Sequence, residues 1–389
     1  MVMDAASLFV KLANSERAVC RYKCDQGSAY LINSLDDIRA IMMSAEFGSV
    51  PHPFRALRPI LSPLGFAWLG IEKRALDFDV MMRRVEGFWG VCPNFSRFGD
   101  VNESTLLSSK EFYFDVKAMF FSLSTSLLFD FDLGYEAIDI ARASDRIEDA
   151  RSGRGGQPHC QHSKKPFSGE VEAMAIFHRL ANRIQEYRGH NPSVEITHAI
   201  IETLLSATIP LAYSFLWTLM LIGRQESSKD TLIRRGVGEI VGDSGFCGRR
   251  GRIDYVATIK ESLRLYPPVW AIGRVCMETQ NLSGTIIRRG ESVVISPFAL
   301  HRAREYWNQA SIFLPERFLD DRRQFSAFMP FGMGLRRCPA ARWNISFLSS
   351  ALGWFLSAYS VTVYKLPKHI SLVALRPSLG FSISLQARD

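Results

Sequence analysis

The run Phe331-Gly332-Met333-Gly334-Leu335-Arg336-Arg337-Cys338-Pro339-Ala340 sets two glycines, two arginines and one cysteine just ahead of an apolar stretch. Glycine reaches backbone conformations closed to residues with a Cβ, so Gly332 and Gly334 let the chain turn tightly and aim amides at one sulfur. A helix is expected from Ala340 to about Ser357, which puts Cys338 near its start. A helix start and nearby cations favour thiolate over thiol, and thiolate is the form that binds metal. The chemistry expected of Cys338 is therefore metal ligation, weighed against a buried structural cysteine in a loop.

Two upstream patterns bear on that choice. Glu261-Ser262-Leu263-Arg264 places an acid and a base three apart, on one face of the helix expected from about Asp254 to Tyr266. Pro267-Pro268 ends that helix. Pro315-Glu316-Arg317-Phe318 follows, and the cysteine loop comes after it. A Glu-x-x-Arg alone carries little information, because many helices contain one. In this order the three elements resemble the cytochrome P450s, the haem-thiolate oxygenases, in detail from roughly Arg252 to Tyr359 and loosely upstream.

The resemblance implies a mainly α fold with a small β region, in one haem-binding catalytic domain spanning residues 1–389. It implies haem b, iron protoporphyrin IX, with Cys338 as the iron ligand and Phe331 and Gly332 packed around the sulfur. Lys73, Arg274 and Arg336 match positions that bind haem propionates, although Asp77 stands where an arginine is common. Glu261, Arg264 and Arg317 match a buried structural ion network. Val269, Trp270 and Ile272 would line the substrate space, and His301 with Arg302 would begin a helix near Trp307, the histidine in the core or at a propionate.

The long apolar helix from Glu195 to Leu221 corresponds to the one that crosses the distal haem face, with Ala207 against the cofactor. There the usual acid and threonine, which deliver protons, fall on Pro210 and Leu211, both expected to line substrate. Neither can relay a proton. Thr208, Ser206 and Ser214 are the hydroxyls left to serve through water. Pro210 also removes one helix hydrogen bond and predicts a kink.

The expected activity is a monooxygenase that activates dioxygen and oxidises a small, largely apolar molecule, in biosynthesis. Arg337 and Arg342 suggest a basic docking face for an acidic ferredoxin or flavodoxin. Two alternatives stand beside it: a haem-thiolate peroxygenase, isomerase or dehydratase, and a non-catalytic haem protein acting as sensor or partner. A trimmed central region suggests a compact, soluble, bacterial-type member with reduced access.

Composition agrees with a globular protein: 389 residues, 47% hydrophobic, 22% charged, formal net charge +8. The basic residues are dispersed without a zinc-finger or RNA-binding signature, which argues against nucleic acid. Seven irregularly spaced cysteines do not form a disulfide framework, so a reducing cytoplasm is expected. Leu204 to Gly223 is long enough to span a bilayer but carries Ser206, Thr208, Pro210, Ser214 and Thr218, and reads as a buried central helix, with no membrane span. The Gly- and Ser-rich run from Ala150 to Glu170 reads as an exposed mobile loop, and its His159-Cys160-Gln161-His162 is too tight for a zinc site.

Overall fold

The computed structural model describes residues 5–15, 17–24, 27–49, 105–152, 168–224, 249–319, 326–371 and 373–387. Lys73, Asp77, the helix expected from Gly70 to Arg84 and the His159–His162 cluster lie outside them.

The first described helix, α1 (Ala5–Ala13), precedes the hairpin β1 (Val19–Cys24) and β2 (Gly27–Ile32). Helix α2 (Leu35–Met43) is started by Ser34, whose side chain accepts from the Asp37 amide, and it buries Ile38, Ile41 and Met42 along one face. After β3 (Phe47–Ser49) and β4 (Thr105–Leu107) come four long helices: α3 (Ser109–Phe129), α4 (Ala137–Ser152), α5 (Ser168–Tyr187) and α6 (Val194–Arg224). Residues 150–152 and 168–170, expected in a loop, are helical, and residues 153–167 lie outside the described residues. Helix α7 (Arg249–Leu265) begins before the expected Asp254 and stops just ahead of Pro267.

Strands β5 (Ile272–Cys276), β6 (Gln280–Leu282), β7 (Thr285–Ile287) and β8 (Ser292–Ile295) then build the small β region. Its five-stranded sheet runs β1-β2-β8-β5-β3, parallel only where β2 meets β8. The short helix α8 (Pro297–Leu300) follows. His301 does not begin a helix near Trp307; it ends α8, and turns continue from there. Helix α9 (Ala341–Ala358) carries the chain from the cysteine loop to β9 (Tyr359–Lys365), β10 (His369–Ser371), β11 (Leu375–Pro377) and β12 (Ser382–Ala387). A three-stranded sheet has the order β4-β12-β9.

Helix α6 packs against α3, α5, α7, α9 and β9. Among the described residues it is the one helix long and apolar enough to cross a membrane, and 83% of that apolar window is buried inside the protein. Its Tyr213, Phe215, Leu216 and Trp217 are fully enclosed and belong to the main core, with Phe120 of α3, Phe177 of α5 and Phe355 of α9. A second core lies under the five-stranded sheet and reaches Trp307 and Met329. The mainly α architecture with a small β region is as expected.

Two buried ionic clusters tie these layers. Glu261 and Arg264 of α7 are fully buried and meet Arg317, on a 3-10 turn (Pro315–Phe318), at 3.3 Å from Glu261 Oε1. The other joins α3, α4, α6 and β11. There Lys117 Nζ donates to Asp145 and lies 3.5 Å from Glu148 Oε2, while Tyr213 donates to Glu148. The hydroxyls of Tyr113 and Tyr213 are 3.0 Å apart, and Arg376 reaches Asp149 at 2.6 Å.

Candidate functional site

Gly332 and Gly334 both take left-handed backbone, with φ of +67° and +68°. A residue with a Cβ is strained there. Space forbids a side chain at Gly334 as well, since its Cβ would lie 2.2 Å from the Met42 carbonyl oxygen of α2. The loop closes on itself: Gly332 N–H donates to Met329 O at 3.0 Å, Arg337 N–H to Gly334 O at 3.2 Å, and Cys338 N–H to Phe331 O at 2.9 Å. Cys338 is half-buried at the start of α9, with Asn344 Nδ2 3.9 Å from its sulfur.

The expected pull toward thiolate is present but is outweighed. Burial pushes the Cys338 thiol up, against the Ala340 amide and the Arg337 charge, which draw it down. Counting charges in the sequence misses the desolvation of the sulfur. Coordination to a metal removes the proton outright.

The loop is held from behind by His301. This ring is fully buried, its Nδ1 meeting Arg264 O at 3.0 Å while Nε2 accepts from the Met329 amide at 2.9 Å. Acceptance at Nε2 places the ring proton on Nδ1, which therefore donates to Arg264 O. Burial, then the Arg264 charge, pushes the imidazole down to about 3, so it is neutral. It stacks on Phe328 with centroids 5.6 Å apart. His301 is thus a core bridge between α7 and the strand of chain entering the loop.

Arg274, on β5, donates to Gly273 O at 2.8 Å and approaches Met42 Sδ at 3.7 Å. Burial and the Arg336 guanidinium together push it down to about 10. Among the described residues neither arginine forms a salt bridge with a carboxylate. Two neighbouring guanidiniums beside a half-buried thiol fit a ligand that brings its own carboxylates and a metal, as haem does. Phe331 is half-buried against the main core, and Ile272 Cδ1 lies 3.9 Å from where a Gly332 Cβ would be. Arg336, Arg337 and Arg342 are exposed.

Between Ile200 and Gly223 of α6 the residues that are not fully buried are Thr203, Ser206, Ala207, Pro210 and Leu211. Their spacing of three and four makes one continuous stripe. Ala207, Pro210 and Leu211 thus share a face, together with one of the three expected hydroxyls, Ser206. Thr208 is on another face, fully buried, with its Oγ1 unpartnered. Ser214 is buried one turn on, and its hydroxyl donates to Pro210 O at 2.7 Å. Thr203 was not singled out by sequence, yet its Oγ1 is buried without a partner on the stripe itself. The i−4 and i+3 positions around Ala207 carry that signal.

Of the five residues expected to line substrate, the three that follow Pro268 separate. Ile272 is beside the cysteine loop, Val269 is 44% exposed, and Trp270 is packed into a third core with Phe9, its ring 5.8 Å from that phenylalanine. The Trp270 carbonyl accepts from the Ser296 hydroxyl at 2.8 Å.

Glu261, Arg264 and Arg317 meet in one network. Arg264 grips Glu261 with two bonds of 2.7 and 2.8 Å, and reaches the carbonyls of His301 and Ala310 at 2.7 Å and of Ile312 at 3.0 Å. The segment feeding the cysteine loop is thereby pinned to α7.

A mostly helical protein that presents one cysteine from a glycine-hinged loop, next to two arginines without carboxylate partners among the described residues, has the frame of a thiolate-ligated haem protein. The family model for cytochrome P450 matches residues 179–382, just over half of the chain, and the chain belongs to that family. It is similar to a cytokinin hydroxylase of Arabidopsis thaliana, 31% identical over 182 residues, which are 44% of this chain and 35% of the relative. A tabersonine/lochnericine 19-hydroxylase of Catharanthus roseus is 32% identical over 127 residues, 31% of this chain and 24% of that protein. A germacrene A hydroxylase of Lactuca sativa is 32% identical over 135 residues, 33% of this chain and 27% of that protein. The matched part of the chain thus spans about a third or less of the length of these relatives.

Proposed function

We propose that this protein is a haem-thiolate monooxygenase that holds haem b through Cys338 and oxidises a small, largely apolar organic molecule in biosynthesis. The observation that carries it is the Arg274–Arg336 pair, lacking carboxylate partners among the described residues, beside a cysteine whose loop is fixed by two left-handed glycines. Haem bound to a thiolate supplies the activation of dioxygen. Cys338 binds the iron, and the Ala340 amide and Asn344 moderate the sulfur's charge. Arg274 and Arg336 hold the propionates. Ala207, Pro210 and Leu211 keep the distal side apolar, and Ile272 adds to that lining. Arg337 and Arg342 form the exposed basic face for an acidic electron donor of ferredoxin or flavodoxin type. The names of the relatives, three hydroxylases, support the reaction class.

The test is the reduced, carbon monoxide difference spectrum of wild type beside Cys338→Ala. A thiolate-type Soret band in wild type, absent from the variant, is expected. No such band in wild type would sink the proposal.

One observation favours a second reading. Pro210 and Leu211 occupy the accessible stripe where an acid and a hydroxyl would move protons. A peroxygenase, isomerase or dehydratase dispenses with that pair. Product formed with a reductase pair and not with peroxide removes this reading.

A further inference from the structure

Pro210 breaks the hydrogen-bond ladder of α6 at a defined atom. In a regular helix the N–H of residue 210 would close on the carbonyl of residue 206. Proline has no N–H, and its ring crowds that carbonyl. Hydroxyls stand on either side of the break, and their bonds show that they do not repair it. Ser206 Oγ donates back to Thr203 O at 3.3 Å, and Ser214 Oγ donates to Pro210 O at 2.7 Å. The carbonyls of Thr203 and Pro210 gain donors, whereas the one that the proline releases gains neither.

Ser206 and Pro210 both lie on the accessible stripe, so the released acceptor opens on the same side as Ala207 and Leu211. On that stripe Ala207, Pro210 and Leu211 are apolar, the Ser206 hydroxyl is engaged with Thr203 O, and the Thr203 hydroxyl has no partner among the described residues. A main-chain acceptor in such a setting is costly until a donor meets it.

We infer that the Ser206 carbonyl is a recognition point for a hydrogen-bond donor, a hydroxyl or N–H, carried on an otherwise apolar substrate. This rests on the haem-thiolate reading and narrows its substrate class to apolar molecules with one donor. The carbonyl is fixed by the main chain, so it selects by position as well as by chemistry. Substitution of the Ser206 side chain leaves it in place; substitution of Pro210 by a residue with an N–H closes it.

The probes are 4-phenylimidazole and its three hydroxyphenyl isomers, titrated into the haem-loaded full chain and followed by the Soret shift. The ratio of each isomer's affinity to that of the parent is compared between wild type and Pro210→Ala. For at least one isomer the ratio is expected to be about five- to tenfold larger in wild type, the size of one neutral hydrogen bond. Ser206→Ala is expected to keep the wild-type ratio. Equal ratios in wild type and Pro210→Ala for all three isomers overturn the inference.

If Pro210→Ala does not load haem, isotope-edited infrared spectra of wild type with carbonyl-labelled serine decide. A free-carbonyl band that moves to lower frequency with a hydroxyphenyl isomer, and not with the parent, supports the site; a band that stays still overturns it. A wild-type chain without a thiolate-type spectrum removes the haem reading and this inference together. Unchanged ratios on a thiolate-type spectrum remove the carbonyl site alone.

Discussion

Arg264 and Lys117 are both cations shut away from solvent, one behind the cysteine loop and the other deep among the helices, and they are satisfied in different ways. Arg264 uses its guanidinium fork fully: two bonds to Glu261 and three to the carbonyls of residues 301, 310 and 312. Glu261 also accepts from the Leu314 amide at 2.9 Å and from Arg317 at 3.3 Å. Most partners of that network are main-chain atoms, which do not titrate. Lys117 instead faces Asp145, Glu148 and Tyr213, all side chains. Glu148 Oε1 is buried without a hydrogen bond, and burial raises the pKa of Glu148 despite Lys117 nearby. The first cluster can fix an irregular segment in one geometry, whereas burial of the second biases Glu148 toward its neutral form.

The contrast is sharpest in Arg264→Ala. It leaves Glu261 buried beside one remaining arginine and frees three carbonyls, so a loss of about 3 to 5 kcal/mol is expected. Denaturant unfolding measures it, and the haem content of purified protein should fall with it. A variant with wild-type stability would mean that the network is ornamental.

Lys117→Met should cost somewhat less, about 3 kcal/mol at pH 7, because Asp145 and Glu148 are left facing each other. That penalty should shrink as the pH is lowered and Glu148, whose pKa burial already raises, takes up a proton, whereas in Arg264→Ala the three freed carbonyls keep their cost at every pH. Parallel pH trends for the two variants would erase the distinction.

His301 gives the network behind the loop a pH dependence of its own. Its folded pKa is pushed down to about 3, below the value of about 6.5 for an unfolded histidine. The unfolded chain therefore binds the extra proton first, and stability is lost as the pH falls below about 6.5, by about 1.4 kcal/mol per unit toward pH 3. His301→Gln should lower stability at pH 7 but flatten the acid limb measured by unfolding at pH 7, 6 and 5. An unchanged slope would show that His301 does not titrate in this way.

Glu148→Gln should be the mildest, below about 1 kcal/mol, since an amide keeps the bond from Tyr213 and the carboxyl is already biased toward its neutral form. A cost equal to that of Arg264→Ala would show the helical cluster to be as rigidly ionic as the other.

These two clusters also mark how far the chain could be read from its letters. Glu261 and Arg264 stand three apart on one helix, and Arg317 follows in a short motif, so local spacing exposes them. Lys117 sits inside the aromatic run from Phe112 to Phe129, and its acids come from α4 while Tyr213 comes from α6. No local period joins those residues, because packing of three helices brings them together. The stripe on α6 was half legible: periodicity groups Ser206 with Ala207, Pro210 and Leu211, but it does not say which side of a largely buried helix stays open. That is why Thr208 and Ser214 were expected there and Thr203 was not. Trp270 misled because residues 268–271 form a bend and irregular chain ahead of β5, so the alternation of the strand does not extend to it.

Gly334 ties the cysteine loop to an element from the far end of the chain. Its missing side chain makes room for the last turn of α2, whose Met42 carbonyl would otherwise be struck. During synthesis α2 emerges early and the loop late, so the pocket wall waits for most of the chain before its seat is complete. Bringing such distant segments together carries a closure entropy that local helices escape. The cysteine should accordingly be among the last groups to become protected in refolding, and pulsed thiol labelling of Cys338 would time it against the burial of Trp217.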